Sequence, residues 1–101
     1  MRFTIVTHNK AKEFIESLDI TRKARVDKIY DLFEEYGRFL PSKYLKKIGK
    51  NIWELRPGDV RLFLAIKDNN AFVVHGIYKK TQKIPKRDIE LAEKRIRLEV
   101  G

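Results

Sequence analysis

The chain has no cysteine among its 101 residues. Neither a disulfide framework nor a thiolate zinc site is open to it, and a reducing cytosol is the expected compartment. Its only histidines are His8 and His75, and neither has a carboxylate cluster at ligand spacing, so no metal site is expected. The five glycines are scattered rather than gathered into a phosphate-cradling loop, and no cofactor is expected. Nothing approaches eighteen consecutive apolar residues, which argues against a membrane-spanning helix. The opening MRFTIVTHNK reads as a short strand and lacks the long apolar region of a signal peptide. Ser17 and Ser42 have no histidine close by in sequence, so a nucleophilic triad finds no support.

Positive charge is what the chain has in excess. The formal net charge is +9 and the pI about 9.9. In so small a domain this means strong self-repulsion unless an anion is usually near. Solubility alone is the plainest explanation; nucleic acid and an acidic protein are the partners such a field suits. A membrane surface fits less well, because no helix combines a basic face with a bulky aromatic one.

The length sets one domain over residues 1–101, and 43% apolar residues suit a modest core. Residues 2–7, with Phe3, Ile5 and Val6, read as a first strand. Asn9 offers an N-cap for a short helix through Leu18. Thr21 opens a longer helix in which Val26, Ile29, Phe33 and Tyr36 recur at three and four residues, with Gly37 as its stop. The few residues between the two helices predict a hairpin packed on a sheet. A basic connector over 38–50 carries Arg38, Lys43, Lys46, Lys47 and Lys50 and no acid. Strands are expected over 51–56, 60–67 and 71–79, joined by "PGD" and "DNN" turns. Pro85 starts a last helix striped by Ile89, Ala92 and Ile96. The fold class is α+β: a small β-α-α-β-β-β-α sandwich with a mainly antiparallel sheet, a helical hairpin on one face and a C-terminal helix.

Hairpin pairing through "PGDV" sets Trp53 opposite Leu64, Leu55 opposite Leu62 and Arg56 opposite Arg61. Side chains alternate faces, so Trp53, Leu55, Leu62, Leu64 and Ile66 form an apolar wall, with Ile52, Glu54, Arg56, Arg61 and Phe63 behind it. Two opposed arginines repel by several tenths of a kcal/mol or so. A phosphate between them would reverse the sign; Glu54 and Asp59 would also neutralise them as surface ion pairs. With "NN" as the next turn, Arg61 would lie beside Tyr78, whereas a three-residue turn would shift the register by one. Either way Tyr78, Lys79 and Lys80 leave the sheet at the end where the two arginines point.

His75 reads as a hydrogen-bonded sheet histidine ahead of a catalytic one. Tyr78 suits either packing or stacking on a base. A metal-free face of arginines and lysines with a tyrosine has the chemistry to cleave RNA. The ribose 2′-OH supplies the nucleophile, arginines stabilise the extra negative charge on phosphorus, and a lysine crowded by other cations can move a proton. DNA, lacking the 2′-OH, would be spared.

The run KKIGKNIWELRPGDVRLFLAIKD, continued by AFVVHGIYKKTQKIPKRDIELAEKR, resembles the RelE/ParE superfamily of bacterial toxins, in its HigB-like, phage Gp49-type branch. The carrying features are Trp53-Glu54-Leu55-Arg56, then Arg61, then His75 through Ala92. The resemblance implies a RelE-like fold and the toxin of a type II toxin–antitoxin system. It implies a metal-independent, ribosome-dependent mRNA endonuclease acting in the 30S A site and a HigA-like helix-turn-helix antitoxin as partner. It also implies that Arg56, Arg61, Lys79 and Lys80, with Tyr78, form the catalytic face. Lys46, Lys47, Lys50 and Lys83 would be RNA contacts. Two alternatives share the scaffold: a ParE-like gyrase poison, and a non-catalytic RNA- or antitoxin-binding module.

Overall fold

The structure is a computed structural model that describes residues 2–80 and 83–100; Thr81 and Gln82, within the stretch from His75 through Ala92, lie outside the described residues. Strand β1 (Thr4–Thr7) is followed by helices α1 (Asn9–Glu16) and α2 (Ile20–Tyr36). A single 3-10 turn (Gly37–Phe39) leads to strands β2 (Leu45–Lys47), β3 (Trp53–Leu55), β4 (Val60–Lys67) and β5 (Asn70–Tyr78), and helix α3 (Lys86–Glu99) closes the chain. The five strands make one mixed sheet in the order β1-β5-β4-β3-β2. β1 runs parallel to β5, and the other pairs are antiparallel.

Three differences from the expected elements have simple causes. The basic connector contains a short strand, β2, which pairs Leu45 with Leu55 and Lys47 with Trp53 and forms the sheet edge. Its lysines suit an edge, since charge there discourages pairing with a further chain. The second helix begins at Ile20 rather than Thr21, because Asp19 is its N-cap and takes the Arg22 N–H. His8, not the expected Asn9, caps α1 in the same way, accepting from the Lys10 N–H at 3.1 Å, and Asn9 is the first helical residue.

Alternation along the strands separates two cores. Val26, Ile29 and Phe33 of α2 and Ala11 of α1 pack on Leu55, Val60, Leu62, Leu64 and Val73. On the other face Ala92 and Ile96 of α3 pack on Ile52, Phe63, Ala65 and Val74. Fully burying an aliphatic or phenyl side chain contributes about 1.5–3 kcal/mol, so this two-sided layering supplies most of the driving force. The Thr7 and Tyr30 hydroxyls, 2.9 Å apart, tie β1 to α2.

Gly37 ends α2 at φ 55, and a Cβ there would run into the Phe3 ring, so the chain turns back to the sheet only with glycine at that point. Among the described residues no helix is long and apolar enough to cross a membrane.

Candidate functional site

The β3–β4 hairpin has the expected register, Trp53 opposite Leu64, Glu54 opposite Phe63 and Leu55 opposite Leu62. Glu54 and Arg61 therefore project from the face that carries α3, beside the β4–β5 ladder, and Arg56 follows at the end of β3. Lys46, opposite Glu54, shares that face. Glu54 is not the surface counter-ion expected. It is 4% exposed, and one of its oxygens, Oε1, lies 3.2 Å from Arg56 Nε and 3.8 Å from Arg61 Nε. Both Nε atoms are shut from solvent and face that oxygen without hydrogen-bond alignment, so charge alone joins them. One carboxylate cannot neutralise two guanidiniums, and the cluster keeps a net positive charge.

Arg61 is 8% exposed, and its Nη1 donates to the carbonyls of Gly58 (2.7 Å) and Val60 (2.8 Å). Burial pushes its guanidinium below the ordinary arginine value; Glu54 and Asp59 oppose the fall and the neighbouring Arg56 adds to it. The group stays charged at any working pH because arginine starts so high. Arg56 is half-buried and its Nη1 donates to the Ser42 carbonyl at 3.2 Å.

The next register corrects the sequence reading. The turn is Asp68–Asn69, with Asp68 at φ 57, and β5 bulges opposite Phe63 and Leu64. Arg61 consequently faces Ile77, and Tyr78 falls opposite Val60, on the side of the helical hairpin. Arg61 and Tyr78 occupy the same end of the sheet but opposite faces. A one-residue bulge inverts the side on which every later side chain lies.

Loop 57–59 joins the two sides. Its Gly58 carbonyl holds Arg61, and its Asp59 carbonyl takes the Lys79 N–H at 2.8 Å. The Asp59 carboxylate takes Nε and Nη2 of Arg22 at 2.9 and 2.6 Å. Arg22 also donates to Asp19 at 2.8 Å, and its guanidinium carbon lies 5.4 Å from the centre of the Tyr78 ring. These bonds hold the Asp59 and Asp19 carboxyls below, and the Arg22 guanidinium above, their ordinary values. Arg22 was missed in the sequence reading, and Glu54 was expected only as a surface counter-ion. Glu54 alternates with Arg56 and so had a signal; Arg22 lies 37 residues from its partner and had none.

Beyond Tyr78 a cleft of about 500 Å³ opens between the end of β5 and the start of α3. Phe14, Tyr78, Lys79, Lys80, Lys83 and Arg87 are among the residues that line it. The Phe14 and Tyr78 rings meet edge to face at 5.5 Å, leaving one face of the tyrosine to Arg22. The structure thus gathers Tyr78, Lys79, Lys80 and Lys83 in one cleft, and Arg56 and Arg61 around Glu54. Lys46 and Lys47 lie on the edge strand β2, Lys46 opposite Glu54 and the Lys47 ammonium 5.6 Å from the Trp53 ring, and Lys50 is exposed in the turn that follows.

Residues 13–97 match the family model described as "Phage derived protein Gp49-like". The chain belongs to the Gp49-like family. No curated protein matches it. Among solved structures it is similar to the archaeal RelE–RelB complex from Pyrococcus horikoshii OT3, at TM-score 0.66 and 17% identity, over 79% of this chain and 98% of that one. The RelBE2 toxin–antitoxin complex of Mycobacterium tuberculosis follows at TM-score 0.65 and 14% identity, over 77% and 99%. The YoeB dimer of Staphylococcus aureus aligns at TM-score 0.61 and 15% identity, over 77% and 98%. The Gp49-like chain therefore has the RelE toxin fold, as the sequence resemblance implied.

The His75-Gly76 step of the Gp49-like chain now has a physical explanation. His75 Nε2 lies 2.8 Å from Asp88 Oδ1, and its ring stacks on Phe63. Arg95 Nη1 donates to the Val74 carbonyl at 2.9 Å and lies 3.3 Å from His75 Nδ1. With Nδ1 facing that donor, the Nε2–H is left for Asp88, and the histidine docks α3 on β5. Gly76 is required because a Cβ there would sit 2.5 Å from the Phe14 ring.

Proposed function

We propose that this chain is the toxin of a type II toxin–antitoxin pair and an mRNA endonuclease that works in the ribosomal A site, in the cytoplasm. The supporting observation is the Arg56–Glu54–Arg61 cluster, a net-positive, partly desolvated pair of guanidiniums tied through loop 57–59 to Lys79. Such groups suit a phosphodiester, whose charge grows during cleavage and is stabilised best by donors already fixed in place.

The ribose 2′-oxygen attacks the adjacent phosphorus, the bond from phosphorus to the 5′-oxygen breaks, and a 2′,3′-cyclic phosphate forms. The 2′-OH proton leaves to a base and the 5′-oxygen gains a proton, so no water or metal enters the step. Arg56 and Arg61 hold the crowded phosphate, and Lys79 and Lys80 reach it from the neighbouring strand. Tyr78, half exposed beside the same loop, offers its edge to a base in the cleft. Lys46, Lys47, Lys50 and Lys83 add backbone contacts that depend on salt.

The antitoxin would be acidic where it meets this face, and a HigA-type helix-turn-helix protein is the partner proposed. The solved RelE chains of the archaeal and mycobacterial complexes are bound to antitoxins, which supports a protein partner of that kind. The test is an mRNA carrying a single 2′-deoxynucleotide 5′ to the cut phosphate, presented on purified translating ribosomes. Cleavage must vanish at that phosphate alone. Cutting that continues there excludes 2′-OH attack, and intact mRNA with blocked gyrase favours the ParE-like alternative.

A further inference from the structure

Helix α2 and loop 57–59 enclose a second concavity, of about 160 Å³, that no sequence motif marked. Arg25 and Lys28 line it from the helix, Arg56, Pro57 and Gly58 from the loop side, and Tyr44 from the connector. Among the described residues no carboxylate lines it. Asp59 is held by the Arg22 fork, with Arg25 acting on it through charge alone, and Glu54 is shared between Arg56 and Arg61. Neither Arg25 nor Lys28 belongs to an ion pair among the described residues. Gly58 sits at φ 64, and a Cβ there would lie 3.0 Å from Arg25 Cδ, so glycine lets the arginine stem lie against the loop. Arg25 and Lys28 converge there on Arg56, whose partner Glu54 is already shared with Arg61, and an anion among the three cations turns their repulsion into binding. The volume is below the few hundred Å³ of an ordinary ligand pocket and suits an anionic group, not a whole nucleotide.

We infer that this concavity is a second phosphate subsite, which grips the phosphodiester next to the one held at Arg56 and Arg61. Arg56 belongs to both places, its Nε turned to Glu54 while the residue also lines the concavity, so an RNA strand leaving the sheet face would meet α2 next. The inference rests on the RNA-cleaving reading and adds α2 to its binding surface.

The experiment measures binding of a 2′-O-methyl oligouridine, which cannot be cut, between about 50 and 200 mM salt. Arg25→Ala combined with Lys28→Ala changes two exposed helix positions, and circular dichroism checks that the fold persists. Losing the one phosphate held at this subsite should make the slope of log affinity against log salt, for a single strand, shallower by about 0.7. Lys94→Ala combined with Arg97→Ala removes the same charge from the exposed side of α3 and should leave the slope unchanged. An unaltered slope in the α2 variant, or an equal change in the α3 variant, overturns the subsite. Unaltered RNA binding with weakened antitoxin binding overturns it too and assigns the concavity to an acidic protein segment. A wild-type slope near zero would instead sink the RNA-cleaving reading, and the subsite with it.

Discussion

Arg22 Nε and Nη2 meet the two carboxylate oxygens of Asp59 at 2.9 and 2.6 Å, joining α2 to the loop that also anchors Arg61 and Lys79. The pair is only partly buried, and ion pairs open to solvent add little to stability. Its consequence is positional: it fixes where loop 57–59 lies, and with it the spacing between the arginine cluster and the cleft.

A pH dependence follows. Asp59 and Asp19 have folded values below those of the unfolded chain, so the stability they contribute is present above the unfolded aspartate pKa of about 3.9. It is lost as pH falls through the lower folded values, while Arg22 stays charged throughout. Arg22→Ala should flatten the acid limb of a plot of Tm against pH and leave the neutral region nearly unchanged. The same variant should slow mRNA cleavage, and Arg22→Lys should not restore it, because an ammonium lacks the fork. Acid limbs that superimpose would refute the coupling.

Glu54 is the buried carboxylate that lies against both arginines. Glu54→Gln keeps the shape and leaves two guanidiniums unpaired, which should cost about 3 kcal/mol in a urea unfolding experiment. Inorganic phosphate should recover more stability in the variant than in the wild type, since the anion would take the carboxylate's place. Equal phosphate effects on both proteins would show that the cluster admits no anion.

Gly76 is a packing requirement. Gly76→Ala would push a methyl to within 2.5 Å of Phe14 Cδ2 and 2.9 Å of Leu62 Cδ2, at an expected cost of about 1–3 kcal/mol. Adding Phe14→Leu should return part of that loss. A Gly76→Ala protein as stable as wild type would mean that the strand shifts freely there.

Much of this was legible in the sequence. β4 occupies Val60–Lys67 as expected, since its apolar run is bounded by "PGD" and "DNN". The Trp53–Leu64 register followed from alternation, and Gly37 marked the end of α2. The illegible parts depend on contacts remote in sequence. β2 has three residues in a lysine-rich connector, and only its pairing with β3 makes it a strand. The β5 bulge leaves no compositional trace, yet it decides that Tyr78 faces Phe14 rather than Arg61. Glu54 resembles an ordinary surface partner until β4 and the two arginines enclose it.

The most direct measurement is a map of mRNA 5′ ends in cells after the chain is induced without an antitoxin, for the wild type, Arg61→Lys, and Lys79→Ala combined with Lys80→Ala. Growth arrest with cuts in register with codons is expected for the wild type. Cuts should be lost in both variants while each stays folded, because Arg61→Lys keeps the charge but not the fork. Arrest with intact mRNA, or cutting that persists in both folded variants, would contradict the claim that these cations from separate strands act together on one phosphodiester.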